Sequence, residues 1–449
     1  MAIIGAVTDD FTGTASAGVL VARTGAKTGL FFDADAVKEF EDADRLDAVY
    51  VSSNSRHLSP CVAYEEVKKT TKELQNMGIK YLSKKIDTTL RGGIGFEIDA
   101  MLECMGDDSI AVMVTAMPPS RRICVGGFSI IDGVILTETP VAYDVKTPVR
   151  DCYVPSIIDR QSKYRVATID IKEVLSGTEN LKEKMNRAKK HEGARIIIVD
   201  AITMEHIDTI AKACVELGWN ILAVDPGPFT MKMAYHRGVI NETRTNDYSE
   251  VSVSRNKTAL LMVGSANSST KKQVEILCAD NEKNICISAE PEKLLEGGDK
   301  ATEEVNRVSE KVISLLNSDE KPQAIVVETA LHGSVLNLED EDRKHEYERG
   351  TCSRLINDGL ARITQNVLEN VDRDQIAGLL LTGGDTMESI CRKIGVSCIQ
   401  ALDNIVAQVD VGRIIGKYEG LPVVVKGGFC GYETVGIDIV ERLFLEASK

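Results

Sequence analysis

The segment Thr8-Asp9-Asp10-Phe11-Thr12-Gly13-Thr14 sets two carboxylates side by side where an apolar run ends and a stretch of small residues begins. Such a pair can hold ligand hydroxyls, position a metal ion, or take the proton from an attacking alcohol. It can equally cap a following helix, where a carboxylate oxygen satisfies free backbone N–H groups. A second segment, Lys84-Lys85-Ile86-Asp87-Thr88-Thr89-Leu90-Arg91-Gly92-Gly93, gathers three cations, an acid and two adjacent hydroxyl groups. Lys85 and Arg91 can clamp a carboxylate or a transferring phosphoryl group, because a guanidinium offers oxyanions a planar fork of donors. Asp87 can orient a sugar hydroxyl or pair with Lys85; the plainer alternative is a solvated charged loop. Arg56, in Asn54-Ser55-Arg56-His57, is a lower-ranked candidate for an anionic substrate. Asp144-Val145-Lys146-Thr147-Pro148 reads as a cleft-facing loop, although its proline also explains it as a turn.

Three glycine-rich segments lie further along. Thr382-Gly383-Gly384-Asp385-Thr386 separates an apolar run from a helix expected over 387–394. Glycines let a backbone approach phosphates and a helix N-terminus attracts them, while Asp385 can reach nucleotide hydroxyls or Mg²⁺, or simply cap the helix. Val263-Gly264-Ser265-Ala266-Asn267-Ser268-Ser269-Thr270, with Gln273 beyond it, suits a phosphate or ribose contact and equally an ordinary turn. Lys426-Gly427-Gly428-Phe429-Cys430-Gly431 can line an adenine or phosphate pocket or merely shape a turn.

The elements that must position these segments are short apolar runs alternating with amphipathic stretches. Strands are expected over 2–7, 28–32, 48–52, 79–82, 110–115, 195–199 and 221–224, with a helix-like segment over 18–23, one opening at Ser59-Pro60 and one over 96–102. A polar stretch follows Asp225-Pro226-Gly227-Pro228. A second series has strands over 259–263, 285–288, 324–327, 379–381 and 423–425, with helices over 302–316 and 352–368. With 449 residues, 43% apolar and 5% aromatic, the chain exceeds one ordinary core. The expected fold is α/β in two lobes, each a mainly parallel sheet flanked by helices. The domains are expected at 1–240 and 258–449, joined by a connection over 241–257.

A formal charge of -15 argues against nucleic acid or an anionic membrane as partner, since both call for a broad basic surface. The eleven Cys show no C-x-x-C and no Cys/His spacing typical of zinc, so buried thiols in a reducing compartment are expected. No apolar stretch approaches the roughly 18 residues of a membrane span, and the N-terminus has no basic leader, so a cytoplasmic protein is expected. There is no G-x-x-x-x-G-K-[ST] loop, no G-x-G-x-x-G after the first strand, no H-E-x-x-H and no G-x-S-x-G. A kinase built from this chain is not a P-loop kinase.

The ordered set T-D-D-F-T-G, K-K-I-D-T-T-L-R-G, G-S-A-N-S-S-T, T-G-G-D-T and K-G-G-F-C-G resembles the four-carbon acid sugar kinase family nearly end to end. The resemblance implies a sugar-acid-binding N-terminal domain, a nucleotide-binding C-terminal domain, and ATP- and Mg²⁺-dependent phosphorylation of threonate, erythronate or 3-oxo-tetronate. By motif, Asp9, Asp10, Lys85, Asp87 and Arg91 fall on the substrate side, joined by Arg56, with Asp9 or Asp10 taking the hydroxyl proton. Ser265, Gly383, Gly384, Asp385, Thr386 and Gly427 fall on the nucleotide side. The family's D-S-T-L-R-G-N is D-T-T-L-R-G-G here, and its K-S-G-N-F-G is K-G-G-F-C-G. The lost Asn removes a donor and an acceptor from the acid pocket and leaves the acid's identity open. Metal ligands are unassigned and a homo-oligomer is left open. The rival readings are a nucleotide-dependent dehydrogenase, disfavoured by the missing dinucleotide fingerprint, and a small-acid sensor without turnover.

Overall fold

The computed structural model describes residues 2–144, 147–243, 248, 251–332 and 335–449. The chain divides into two units, Met1–Thr245 and Asn246–Lys449. Each is an α/β layer structure with a mainly parallel sheet between helices.

In the first unit the strands are β1 (Ile4–Thr8), β2 (Thr28–Phe31), β3 (Ala48–Ser52), β4 (Tyr81–Lys85) and β5 (Ile110–Met113). A small antiparallel sheet follows, of β6 (Arg122–Val125), β7 (Phe128–Ile131) and β8 (Val134–Ile135), and then β9 (Val166–Ile169), β10 (Ile196–Val199) and β11 (Ile221–Asp225). The parallel sheet runs β2-β3-β1-β4-β11-β5-β10-β9. Every residue of β1, β3, β5, β10 and β11 is buried, as expected for strands covered on both faces. The helix Phe11–Ala22 is built largely from Gly, Ala, Thr and Val, and its small residues allow close packing on the sheet. A methyl group on Gly18 would lie 2.4 Å from Leu30.

The second unit has β12 (Thr258–Val263), β13 (Asn284–Ser288), β14 (Ala324–Glu328), β15 (Ile376–Thr382), β16 (Val396–Val406), β17 (Val409–Gly416) and β18 (Pro422–Lys426). Its order is β13-β14-β12-β15-β18-β17-β16, parallel from β13 to β18, with β17 antiparallel to both its neighbours. The helix Gly298–Leu316 buries Ala301, Val305, Val308, Val312 and Leu316, a single stripe at helical spacing. One face of the sheet packs Leu261, Val263, Val326 and Val424 against Ile439, Leu443 and Phe444 of the helix Val435–Ala447.

Several expectations require correction. The strand expected over 79–82 is Tyr81–Lys85, so Lys84 and Lys85 are strand residues with side chains on opposite faces of the sheet. The helix expected over 18–23 begins at Phe11, directly after Asp10. The helix expected over 387–394 begins at Gly384 with Gly383 as its N-cap, which removes the capping role considered for Asp385. The cysteines are not uniformly buried: Cys61 is exposed, and Cys104, Cys152, Cys278, Cys286 and Cys430 are partly so. Within the loop 144–148, Val145 and Lys146 lie outside the described residues. Among the described residues no helix is long and apolar enough to cross a membrane.

Candidate active site

In the first unit, β3, β1 and β4 are parallel neighbours in register, Thr8 lying beside Ser52 on one side and Lys85 on the other. Their C-terminal ends therefore deliver three segments to one place: Asp9-Asp10, Ser53–Arg56 and Lys85–Arg91. Hydrogen bonds from Ser53 N to Thr8 O (2.8 Å) and from Arg56 N to Asp9 O (3.3 Å) tie the second segment to the first. Asn54 (φ 50°) and Leu90 (φ 58°) adopt left-handed backbone within these loops. That conformation is uncommon for Asn and costly for Leu, a pattern concentrated at functional sites.

Arg56 is the hub. Its Nε donates to Asp9 Oδ2 at 2.7 Å, its Nη1 to Asp10 Oδ2 at 2.6 Å, and its Nη2 lies 4.0 Å from Asp87 Oδ1. The Arg56 side chain is only 9% exposed. Asp10 Oδ1 accepts from Gly13 N at 2.8 Å and caps the helix Phe11–Ala22, so this carboxylate both caps and pairs. Asp9 Oδ1 accepts no hydrogen bond among the described residues and lies 3.8 Å from Lys85 Nζ. The Lys85 ammonium rests over Gly13, where a methyl group would come within 2.0 Å of it. Asp87 accepts from Arg91 Nε at 2.7 Å and from the Thr89 hydroxyl, and Arg91 Nη1 donates to Asp144 Oδ2 at 3.2 Å. Asp87 thus pairs with Arg91 and faces Arg56, and the closest ion-pair partner of Lys85 is Asp9.

Burial alone would push the Asp9 carboxyl up, but the charges of Arg56 and Lys85 more than offset this and hold it below the usual carboxylate range. Asp87 is likewise buried, and Arg56 and Arg91 hold it far below that range. Burial disfavours the Arg56 cation, yet Asp9, Asp10 and Asp87 raise its pKa well above the ordinary value. Both acids are therefore ionised across the physiological range. An open pocket of about 910 Å³ adjoins the cluster, lined by Arg56, Arg91, Gly92, Gly93, Thr147 and Gln161 among others.

Two participants were missed. Lys84, on the opposite face of β4 from Lys85, forms a fully buried ion pair with Glu97 (2.7 Å), whose second oxygen accepts from Ser55 Oγ at 2.5 Å. This pair braces the Arg56-bearing segment from beneath. The available signal was an acid at a buried position of the helix Ile94–Met105, where an apolar residue is the ordinary occupant.

In the second unit the ends of β12, β15 and β18, adjacent in the sheet, bring Ser265, Gly383, Gly384, Asp385, Thr386 and Gly427 into one neighbourhood. Gly383 N donates to Lys426 O at 3.2 Å. A methyl group on Gly264 would meet Thr386 Oγ1 at 2.0 Å, and one on Gly428 would meet Ser265 Oγ at 2.8 Å, so a side chain at either position would displace Thr386 or Ser265. Thr386 is anchored to Asn357 (2.8 Å) and Thr270 to the Gly428 carbonyl (2.8 Å). Gln273 Nε2 holds the carbonyls of Cys430, Gly431 and Tyr432. Asp385 is exposed in the first turn of its helix and has no ion-pair partner among the described residues. An exposed carboxylate in the first helical turn beside glycine-rich loops has the chemistry to hold Mg²⁺, which binds through one or two carboxylates and phosphate oxygens. Beside these loops an open pocket of about 430 Å³ is lined by Gly264, Ala266, Pro291, Ala330, Leu336 and Ile356, with polar contributions from Thr329, Ser353 and Asn357.

The chain is similar to known proteins along its length. Residues 4–233 match the family model of a sugar-binding N-terminal domain, and residues 260–435 that of a nucleotide-binding C-terminal domain. The chain is 33% identical to a D-erythronate kinase of Heliobacterium modesticaldum over 99% of this chain and 97% of that one. It is 26% identical to a D-threonate kinase of Salmonella typhimurium, over 96% of each chain. A 3-oxo-tetronate kinase of Methylobacterium radiotolerans is 24% identical, over 95% of this chain and 96% of that one. Among solved structures, a Haemophilus influenzae protein superposes with a TM-score of 0.74 at 20% identity over 98% of this chain and 100% of its own, which shows the shared fold. With sugar-binding and nucleotide-binding models side by side in one chain, and kinases of three four-carbon acids among its full-length relatives, the chain belongs to the four-carbon acid sugar kinase family.

Proposed function

We propose that the protein transfers the γ-phosphoryl group of ATP to a hydroxyl of a four-carbon hydroxy acid, with D-erythronate the first acid to test. The observation that carries this reading is the buried Asp9-Arg56-Asp10-Asp87 network, which leaves one carboxylate oxygen, Asp9 Oδ1, without a donor. Lys85 and Arg91 supply cations for the acid's carboxylate, and Asp9 Oδ1 accepts the proton of the attacking hydroxyl. Asp10 keeps Arg56 and the helix N-terminus in place.

In the second unit the backbone around Gly383, Gly384 and Gly427, with Ser265 and Thr386, receives the phosphates, and the apolar pocket receives the base. Asp385 would hold Mg²⁺, which neutralises charge on the phosphate oxygens. Phosphoryl transfer needs alignment and charge neutralisation more than covalent help from the protein, and glycine loops from three strands take the place of a P-loop. The test is ADP release with Mg²⁺ across tetronates, 3-oxo-tetronates and other short hydroxy acids. Release that depends on one acid supports the reading and names the substrate; ATP binding without acid-dependent release from any of them would overturn it.

Lys426 gives a second check. Its ammonium is buried, donates to the carbonyls of Gly427 (3.0 Å) and Gly428 (3.1 Å), and burial pushes its pKa down to about 8. The unfolded state binds more protons between that value and the ordinary one near 10.4. Protein stability therefore gains from this group as pH rises through that window. A phosphate beside Lys426 favours the charged form, so nucleotide affinity is expected to fall as pH rises from 7 to 9, by up to about tenfold per unit above 8. Titration calorimetry over that range measures the slope, and Lys426→Met should flatten it. An equal slope in that variant would remove Lys426 from the phosphate site.

A further inference from the structure

We propose that Cys286, Glu328 and His332 form a three-residue binding site for a borderline-soft divalent cation of the zinc type, apart from the acid and phosphate sites. Among the described residues, this is the one place where three such side chains bring ligand atoms within 4.8 Å of one another. Cys286 Sγ lies 3.9 Å from His332 Nδ1, and His332 Nδ1 lies 3.2 Å from Glu328 Oε1. Tetrahedral zinc, with bonds of about 2.0–2.3 Å, spaces neighbouring ligand atoms roughly 3.3–3.8 Å apart, and both of these separations lie within a few tenths of an ångström of that range. Cys278, on the neighbouring helix, lies outside this trio of ligand atoms, and water would complete the shell.

The fold explains the convergence. Ser288 pairs with Glu328 across β13 and β14, and Cys286, two residues earlier, shares their face. The helix Ser268–Asp280, which carries Cys278, covers that face. His332 follows the strand end by four residues. Glu328 is fully buried; its Oε2 accepts from Ala330 N (2.8 Å) and Leu331 N (2.5 Å). Its Oε1 faces His332 and accepts from Ser288 Oγ. A turn-capping glutamate needs only the first oxygen. The second, beside a half-exposed imidazole and the Cys286 thiol, makes a donor set suited to zinc rather than Mg²⁺. Metal binding would release the proton of that thiol. It would also fasten the segment that begins at Glu328, whose next residues, Thr329 and Ala330, line the 430 Å³ pocket. The metal site does not depend on that pocket's being a nucleotide site.

The test is titration of the chelator-stripped, reduced full chain with Co²⁺. One equivalent per chain is expected, with thiolate-to-cobalt charge-transfer absorption that one equivalent of Zn²⁺ abolishes. The absorption should vanish in Cys286→Ser. His332→Ala alters a side chain 53% exposed, so it should fold like the parent and bind at least about tenfold more weakly. Circular dichroism verifies that each variant is folded. Failure to bind an equivalent of Co²⁺, absorption that survives Cys286→Ser, or unchanged affinity in folded His332→Ala would each overturn the proposal.

Discussion

Arg56→Met is expected to abolish acid-dependent ADP release and to lower stability by about 3–5 kcal/mol, the usual result of removing one partner from a buried ion network. Arg56 holds Asp9 and Asp10 directly and faces Asp87, so its loss leaves carboxylates crowded in a site that solvates them poorly. The pKa values of Asp9 and Asp87 should then rise, because the Arg56 charge would no longer offset their burial. In the parent, Asp9 and Asp87 are held below their unfolded values. Their contribution is therefore fully present above about pH 4 and is lost as pH falls through the depressed folded values. The variant should lose this contribution, and adding Asp10→Asn should return part of the stability without restoring turnover. Thermal melts over a pH series, alongside steady-state assays, separate the two effects. A melting point within about 2 °C of the parent would mean that Arg56 is not the hub of the network.

Asp9→Asn is expected to lower kcat by a factor of about 10²–10⁴, the range for a group that handles a proton in the transition state. The KM for the acid should change far less. Asparagine preserves the volume and an acceptor for Arg56 Nε but puts a neutral amide in place of the carboxylate. Asp10→Asn is the control, since asparagine also caps helices well and Asp10 already uses both oxygens. Its effect should be the smaller one. A kcat within a few-fold of the parent in Asp9→Asn, with Asp10→Asn severely impaired, would exchange the two roles.

Most strands of both sheets were legible because they are short, mainly apolar runs bounded by polar or glycine-rich turns, whereas β4, with Lys84 and Lys85 inside it, was placed two residues early. The candidate loops were legible because a parallel sheet sends each strand end into a loop at one edge. The β16–β17 hairpin was not. Its strands mix polar and apolar residues, and its turn uses Ala407 and Gln408, the latter at φ 63°, with none of the Asn-Gly or Gly-Gly signals that betray a two-residue turn. Arg56 was ranked below Lys85 and Arg91 because one arginine after a strand carries no linear signal. Its weight comes from β3 lying next to β1, which neighbouring residues do not encode. The same holds for Cys286, Glu328 and His332, whose spacings match no zinc pattern and which only the pairing of β13 with β14 brings together.

The position of β11 between β4 and β5 has a consequence for how the chain is made. Asp225 closes β11 against Lys85, and Ile86 N donates to Asp225 O at 3.0 Å. While the ribosome is still short of residue 225, the loop that begins at Ile86 lacks this anchor, and two facing sheet edges stand open to any other strand. Long-range parallel pairing of this kind forms slowly. A product truncated before β11 keeps both edges open, and is expected to aggregate at concentrations where the full chain scatters no light.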